Sequence, residues 1–238
     1  MSATQHLQSL VADDWHAATR HPFTDALADG TLSRKKMAGY LQQDYQFIEG
    51  FVRLLASAVA HAPTLADAVP GAQFLGLICG PENTYFLRSL QALEVPPTAP
   101  AEPETIAFQK LMDQARRSGR YEVMLSVLVV AEWIYLDWAI PFEDRAEALP
   151  FWLGEWITLH SGEGFAQVVA YLRDQLDRVW ETLDDDARTQ VTSTFTEAVR
   201  LERARDKAVA DHLENRTVNA LLVCRKDAHG HKAHVGNG

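Results

Sequence analysis

The sequence predicts an all-α fold, and three observations carry that prediction. Apolar residues recur at helical spacing along most of the 238-residue chain. Stretches that alternate with period two and are rich in Val, Ile and Thr are nearly absent. Nearly half of the residues are apolar, 47%, which is ample for the core of one large domain.

The elements follow in order. A first helix runs to about Thr19 and stops before His21-Pro22, because a residue preceding proline is pushed out of the helical region. Thr24 or Asp25 starts a short helix, Asp29-Gly30 turns the chain, and Ser33 caps a long helix reaching about His61. Tyr40, Leu41, Asp44, Phe47, Ile48, Phe51 and Leu55 stack on one side of it. Pro63, Pro70 and Pro81 punctuate Ala66 to Leu93, read as broken helix followed by a clean stretch from Glu82. Pro96, Pro97, Pro100 and Pro103 mark a connector that is more economically a surface loop within one bundle than a domain linker. Helices then follow over about Glu104–Arg117, Tyr121–Ala139, Phe151–Ser161 and Gly164–Thr182. The Tyr121 segment is apolar almost all round and so belongs at the centre. Asp184 to Asp186 favour the positive end of a last helix. One domain is expected over residues 1–215, with a poorly ordered Gly-, His- and Lys-rich tail over 216–238.

Composition narrows function. A formal net charge of −10 disfavours nucleic acid and anionic lipid, leaving a small molecule as the default partner. Cys79 and Cys224 stand far apart in no metal-ligand spacing, so neither a disulfide framework nor a zinc site is suggested and a reducing cytoplasm is expected. The N-terminus lacks a basic region followed by an apolar core, and no run is read as long enough to span a bilayer.

Two carboxylates stand out on physical grounds. Asp44 lies on the apolar side of its helix, where an unpaired charge would cost several kcal/mol, so either an ion pair across the bundle or a ligand must satisfy it. Glu132 lies in Ala131-Glu132-Trp133-Ile134-Tyr135, the most hydrophobic stretch of the chain; a cross-bundle arginine or a catalytic role would each account for it. Heme chemistry would need a proximal histidine such as His16 or His21, and a di-iron centre paired core histidines, yet no histidine occurs between Ala62 and Leu159.

Trp15, His21-Pro22-Phe23, Leu27, Asp29-Gly30, Leu32, Tyr40 and Gln43-Asp44-Tyr45, in that order, closely resemble the opening of the TenA/thiaminase II family. Weaker matches at Glu82-x-x-Tyr85-Phe86, Trp156-Ile157-x-x-His160-Ser161 and Phe195-x-x-Ala198-x-x-Leu201-Glu202 extend the resemblance to Glu202. It implies a heme-oxygenase-like helical bundle, usually a homotetramer, acting without a cofactor in thiamin salvage on a small aminopyrimidine. It also implies that Asp44 grips the amino group and ring nitrogen of a 4-amino-5-methylpyrimidine, with Phe47, Tyr135 and His160 around the ligand. Thiaminase II carries a nucleophilic cysteine before a Trp-x-Tyr. Here no cysteine occurs between Gly80 and Val223, and the chain resembles the Cys-less branch with a glutamate three residues before the tyrosine, as Glu132 stands before Tyr135. Anchored on Tyr135, the cysteine position itself aligns with Ala131. The resemblance thus implies hydrolysis of aminopyrimidine or formylaminopyrimidine to hydroxymethylpyrimidine, with Glu132 as general base and Glu202 as proton donor. Arg205 and Asp206 stand where family members usually carry aromatic residues. A non-catalytic pyrimidine-binding or regulatory protein is the alternative from another class, and heme or di-iron chemistry a more distant one.

Overall fold

A computed structural model describes residues 1–205 of the chain. Among these residues the structure is helical throughout, with no strand. Helices α1 (Ala3–Leu10) and α2 (Ala12–Thr19) replace the single N-terminal helix expected. The break falls at Val11, whose backbone leaves the helical region while its side chain stays buried in the core. Helix α3 (Pro22–Ala28) begins earlier than Thr24. His21 is its N-cap, accepting the Phe23 amide through Nδ1 at 3.1 Å, and Pro22 fills the first turn, where its missing N–H has no intrahelical partner to lose. Gly30 turns the chain at φ +69°, a conformation that disfavours a Cβ. Ser33 caps α4 (Arg34–His61) by accepting the Lys36 amide.

Pro70 and Pro81 do not interrupt the next segment as sequence suggested. Helix α5 (Leu65–Leu77) contains Pro70 and passes directly into a π-helical turn (Ile78–Glu82) and then α6 (Asn83–Ala92). The Asn83 amide reaches back five residues to the Ile78 carbonyl, the wider loop that accommodates Pro81 inside a helical path. The proline-rich connector is fastened to α4: Gln42 donates to the Pro96 carbonyl at 2.8 Å, and Gln43 donates to Pro100 and accepts the Glu102 amide at 2.8 Å. It is therefore a loop on one bundle.

After α7 (Pro103–Arg117) comes α8 (Tyr121–Ala139), packed on α2, α4, α7, α9 and α10, hence its apolar character on all sides. With the 3-10 segment that follows (Ile140–Ala148) it is, by length and composition, long and apolar enough to cross a membrane, contrary to the sequence expectation. Most of that span is buried in the bundle, as a central core helix should be. Helix α9 (Phe151–Ser161) approaches the 3-10 segment so closely that a Cβ on Gly154 would lie 2.2 Å from the Ala146 carbonyl oxygen. Helix α10 (Glu163–Trp180) precedes a further helix, α11, whose described part spans residues 185–205. The expected boundary at 215 and the His-rich tail lie outside the described residues.

Two hydrophobic clusters fill the bundle. One joins α1, α2, α4, α5, α7, α8, α10 and α11, and the other joins α3, the start of α4, α6, α9 and the end of α8. The candidate site residues lie where the two meet.

Candidate active site

The long α4 face carries Tyr40, Asp44, Phe47, Ile48 and Phe51 at three- and four-residue spacing, and Asp44 is only 3% exposed. Opposite it, α8 contributes Ala131, Glu132 and Tyr135, again one turn apart. The π-helical turn contributes Ile78 and Glu82, and α9 contributes Trp156 and His160. These residues enclose a cavity of about 20 Å³, room for roughly one water. Asp44, Phe47, Glu132, Tyr135 and His160, five of the six site residues expected from sequence, thus share one wall. Glu202 does not line this cavity. It is 2% exposed on α11 and is linked to the site through Arg205.

Arg205, noted in the sequence only as standing where aromatic residues were expected, belongs to the same cluster. Its Nη2 donates to Asp44 Oδ1 at 2.7 Å and its Nη1 to Glu202 Oε2 at 3.2 Å. The guanidinium carbon lies 4.3 Å from the centre of the Phe47 ring and 5.8 Å from that of Phe108, a cation over an aromatic floor. Tyr135 adds a longer bond to Asp44 Oδ1, 3.4 Å, and its hydroxyl also meets that of Tyr40 at 2.8 Å. The sequence signal for this cluster was the i, i+3 spacing of Glu202 and Arg205.

Electrostatics separate the four acids. Burial lifts the Asp44 carboxyl above the ordinary range, while the Arg205 charge and bonds from Arg205 and Tyr135 pull it back. Burial opposes charge on Arg205, but Glu202, Tyr135 and Asp44 keep it cationic. Glu202 is raised to about 7 by burial, against the lowering effect of Arg205. Burial raises Glu82 to about 8, with Asp44 adding to the rise, and lifts Glu132 well above the carboxylate range, with Glu82, Glu202 and Asp44 adding to the effect. The cavity therefore holds protonated carboxyls beside one ion pair near neutral pH. Glu82 was missed in the sequence; its clue was an acid directly after Pro81 with aromatics three and four residues on. His160 shares a 2.8 Å hydrogen bond at Nδ1 with the Trp156 carbonyl, and burial lowers it to about 4, so it is neutral and packs edge-on to Trp156.

The family's early motif supports this wall from behind. Phe23 packs on Tyr40 with ring centres 4.7 Å apart, and Trp15 donates its indole N–H to Asp137 at 2.9 Å while packing on Trp133. A larger crevice of about 490 Å³ beside Trp15 and His16 is open to solvent, and its carboxylate, Asp137, already has that indole partner, so volume alone does not select the site. The described acids and histidines form no cluster of three able to hold a metal ion.

Residues 9–204 match the TENA/THI-4/PQQC family, and the chain belongs to that family. It is similar to the aminopyrimidine aminohydrolase of Halalkalibacterium halodurans, 24% identical over 209 residues that cover 85% of this chain and 92% of that protein. Its fold is similar to that of a TenA homologue from Pyrococcus furiosus, with a TM-score of 0.77 at 17% identity over 87% of this chain and 98% of the other. A domain with a heme oxygenase-like fold from Shewanella denitrificans superposes with a TM-score of 0.65 at 15% identity, over 89% and 93% of the two chains. The architecture is thus a heme-oxygenase-like all-α bundle.

Proposed function

We propose that the protein is a thiamin-salvage hydrolase that converts aminopyrimidine or formylaminopyrimidine breakdown products of thiamin to hydroxymethylpyrimidine without a cysteine nucleophile. One observation carries this reading: Asp44, Glu82 and Glu132 face one cavity, and its wall has an alanine, Ala131, where the thiol of the resembling enzymes would align. The aminohydrolase relative from Halalkalibacterium halodurans supports the reaction class.

Asp44 accepts the donor-rich edge of the pyrimidine, Phe47 offers a flat apolar face, and Tyr135 and His160 bound the ring. Burial sets the order of proton movement. Burial favours the protonated form of Glu132, and in that form it first gives its proton to the amine as the C–N bond breaks and the electron pair leaves on nitrogen. The resulting carboxylate then acts as the general base and takes a proton from the water that bonds to the exocyclic carbon. Hydroxymethylpyrimidine forms with ammonia from aminopyrimidine, or with formamide from formylaminopyrimidine, and Glu132 is protonated again. Glu202, raised to about 7, is the second proton-handling group, suited to donation near neutral pH. We further propose a homo-oligomer, a tetramer by resemblance, working in the cytoplasm.

A second reading, a pyrimidine binder without turnover, is favoured by one feature: Arg205 holds the Asp44 carboxylate that a reacting substrate would need. Incubating the protein with thiamin, aminopyrimidine and formylaminopyrimidine, and following hydroxymethylpyrimidine by mass spectrometry, separates the two. Product from at least one substrate supports the hydrolase; ligand binding with no product supports the binder.

A further inference from the structure

Arg205 fits the site in the manner of a ligand. A guanidinium is a flat, delocalised plate with adjacent N–H donors along one edge, the same pattern that an aminopyrimidine protonated at the ring nitrogen beside its amino group would present to Asp44. It donates to the Asp44 carboxylate at 2.7 Å and lies over the Phe47 ring at 4.3 Å. Its side chain is only 7% exposed. The cavity beside Asp44, which Arg205 does not line, has about 20 Å³, far too little for a substituted six-membered ring, so a ligand on Asp44 has to take the place the guanidinium holds.

The structure also supplies a place for the group to go. Glu202 stands one helical turn before Arg205 on α11 and accepts only Nη1, through Oε2. Its other oxygen, Oε1, is buried and has no hydrogen-bond partner among the described residues. A buried carboxylate oxygen left this way is costly. A guanidinium released from Asp44 would meet a two-oxygen acceptor in fork-to-fork geometry without leaving its own helix.

We propose that Arg205 is a built-in competitor for the pyrimidine, seated on Asp44 in the empty protein and transferred wholly to Glu202 when the ligand enters, Glu202 giving its proton to the bound ligand as it takes the guanidinium. This rests on the pyrimidine reading of the site and adds to it a gate made from the protein's own side chain. Apparent affinity is then the intrinsic affinity reduced by the fraction of molecules in which Arg205 still covers Asp44. It also makes Arg205 a selector, since a ligand unable to replace the guanidinium's donors to Asp44 cannot open the cavity.

Hydroxymethylpyrimidine binding, measured by calorimetry on the full chain and on Arg205→Ala, tests this. The variant should bind at least tenfold tighter. Millimolar guanidinium chloride, far below denaturing concentrations, should refill the vacated place: it should weaken pyrimidine binding to the variant, raise the variant's Tm, and do neither to the parent. If Arg205→Ala does not fold, Arg205→Met keeps the length of the stem without the charge and is read the same way. Equal or weaker pyrimidine binding by the folded variant, or no competition by guanidinium, overturns the gate while leaving the pyrimidine reading intact. Failure of both parent and variant to bind hydroxymethylpyrimidine would instead remove the pyrimidine reading, and the gate with it.

Discussion

Asp67, in the first turn of α5, and Asp44, in the middle of α4, are both buried aspartates that meet an arginine from a later helix. Around Asp67 every acceptor is used. Oδ1 accepts from Arg178 at 2.7 Å and from Gln175 at 3.2 Å, Oδ2 accepts from Thr64 at 2.7 Å, and the Asp67 carbonyl accepts from Tyr171 at 2.6 Å. Bonds from Arg178, Thr64 and Gln175 hold its carboxyl down at about 2. Around Asp44 the balance runs the other way: Asp44 and Glu202 share one arginine, Glu82 and Glu132 stand nearby without it, and Glu82, Glu132 and Glu202 are all raised. A satisfied carboxylate ties α5 to α10. A group of under-satisfied ones, maintained at a cost in stability, is what a site for proton transfer and ligand binding requires.

The comparison can be broken most forcefully at Glu132. Glu132→Gln keeps the volume but can neither give nor take a proton, so kcat should fall about a hundredfold or more with hydroxymethylpyrimidine affinity nearly unchanged; steady-state kinetics alongside calorimetry would reveal an indifferent Glu132. Next in size, Asp44→Asn places a donor where an acceptor is needed. Pyrimidine affinity should drop about tenfold or more, the scale of a lost charged hydrogen bond, and unchanged calorimetric binding would disqualify Asp44 as the anchor.

Asp67→Asn should do the opposite, leaving affinity alone while lowering stability by about 1–3 kcal/mol, read as a Tm lower by several degrees. Loss of binding without loss of stability would erase the distinction between the two aspartates. The smallest of these effects is a pH signature. Glu82 is raised to about 8, so the stability it contributes is complete below the ordinary glutamate range and is lost as pH rises through about 8. Glu82→Gln should therefore raise Tm relative to the parent more at pH 8.5 than at pH 5, by several degrees. Asp67, held at about 2, loses its contribution only as pH falls toward that value, so its variant should show no such alkaline gain.

Much of the frame was legible because local rules act over a few residues. Ser33 caps α4 and the apolar Tyr121 segment is central, as expected. Asp44 and Glu132 could be singled out because an acid on an apolar face demands a reason. The misses have physical causes. Val11 breaks the first helix without a Gly or Pro to announce it, and Pro81 sits inside a helical path because a π turn absorbs it. Glu82 enters the cavity on that turn, where α-helical spacing gives the wrong face. The Asp44–Arg205 pair spans 161 residues, and no local pattern encodes a contact at that separation.

The central claim, hydrolysis by buried carboxylates without a thiol, is tested most directly by comparing two variants on one substrate. Product formation from aminopyrimidine, followed by mass spectrometry, should persist at near-parent rates when Cys79, exposed on the π-helical turn, and Cys224, outside the described residues, are both replaced by serine. It should fall about a hundredfold or more in Glu132→Gln. Loss of turnover in the folded double-serine protein, with turnover retained in Glu132→Gln, would contradict the account.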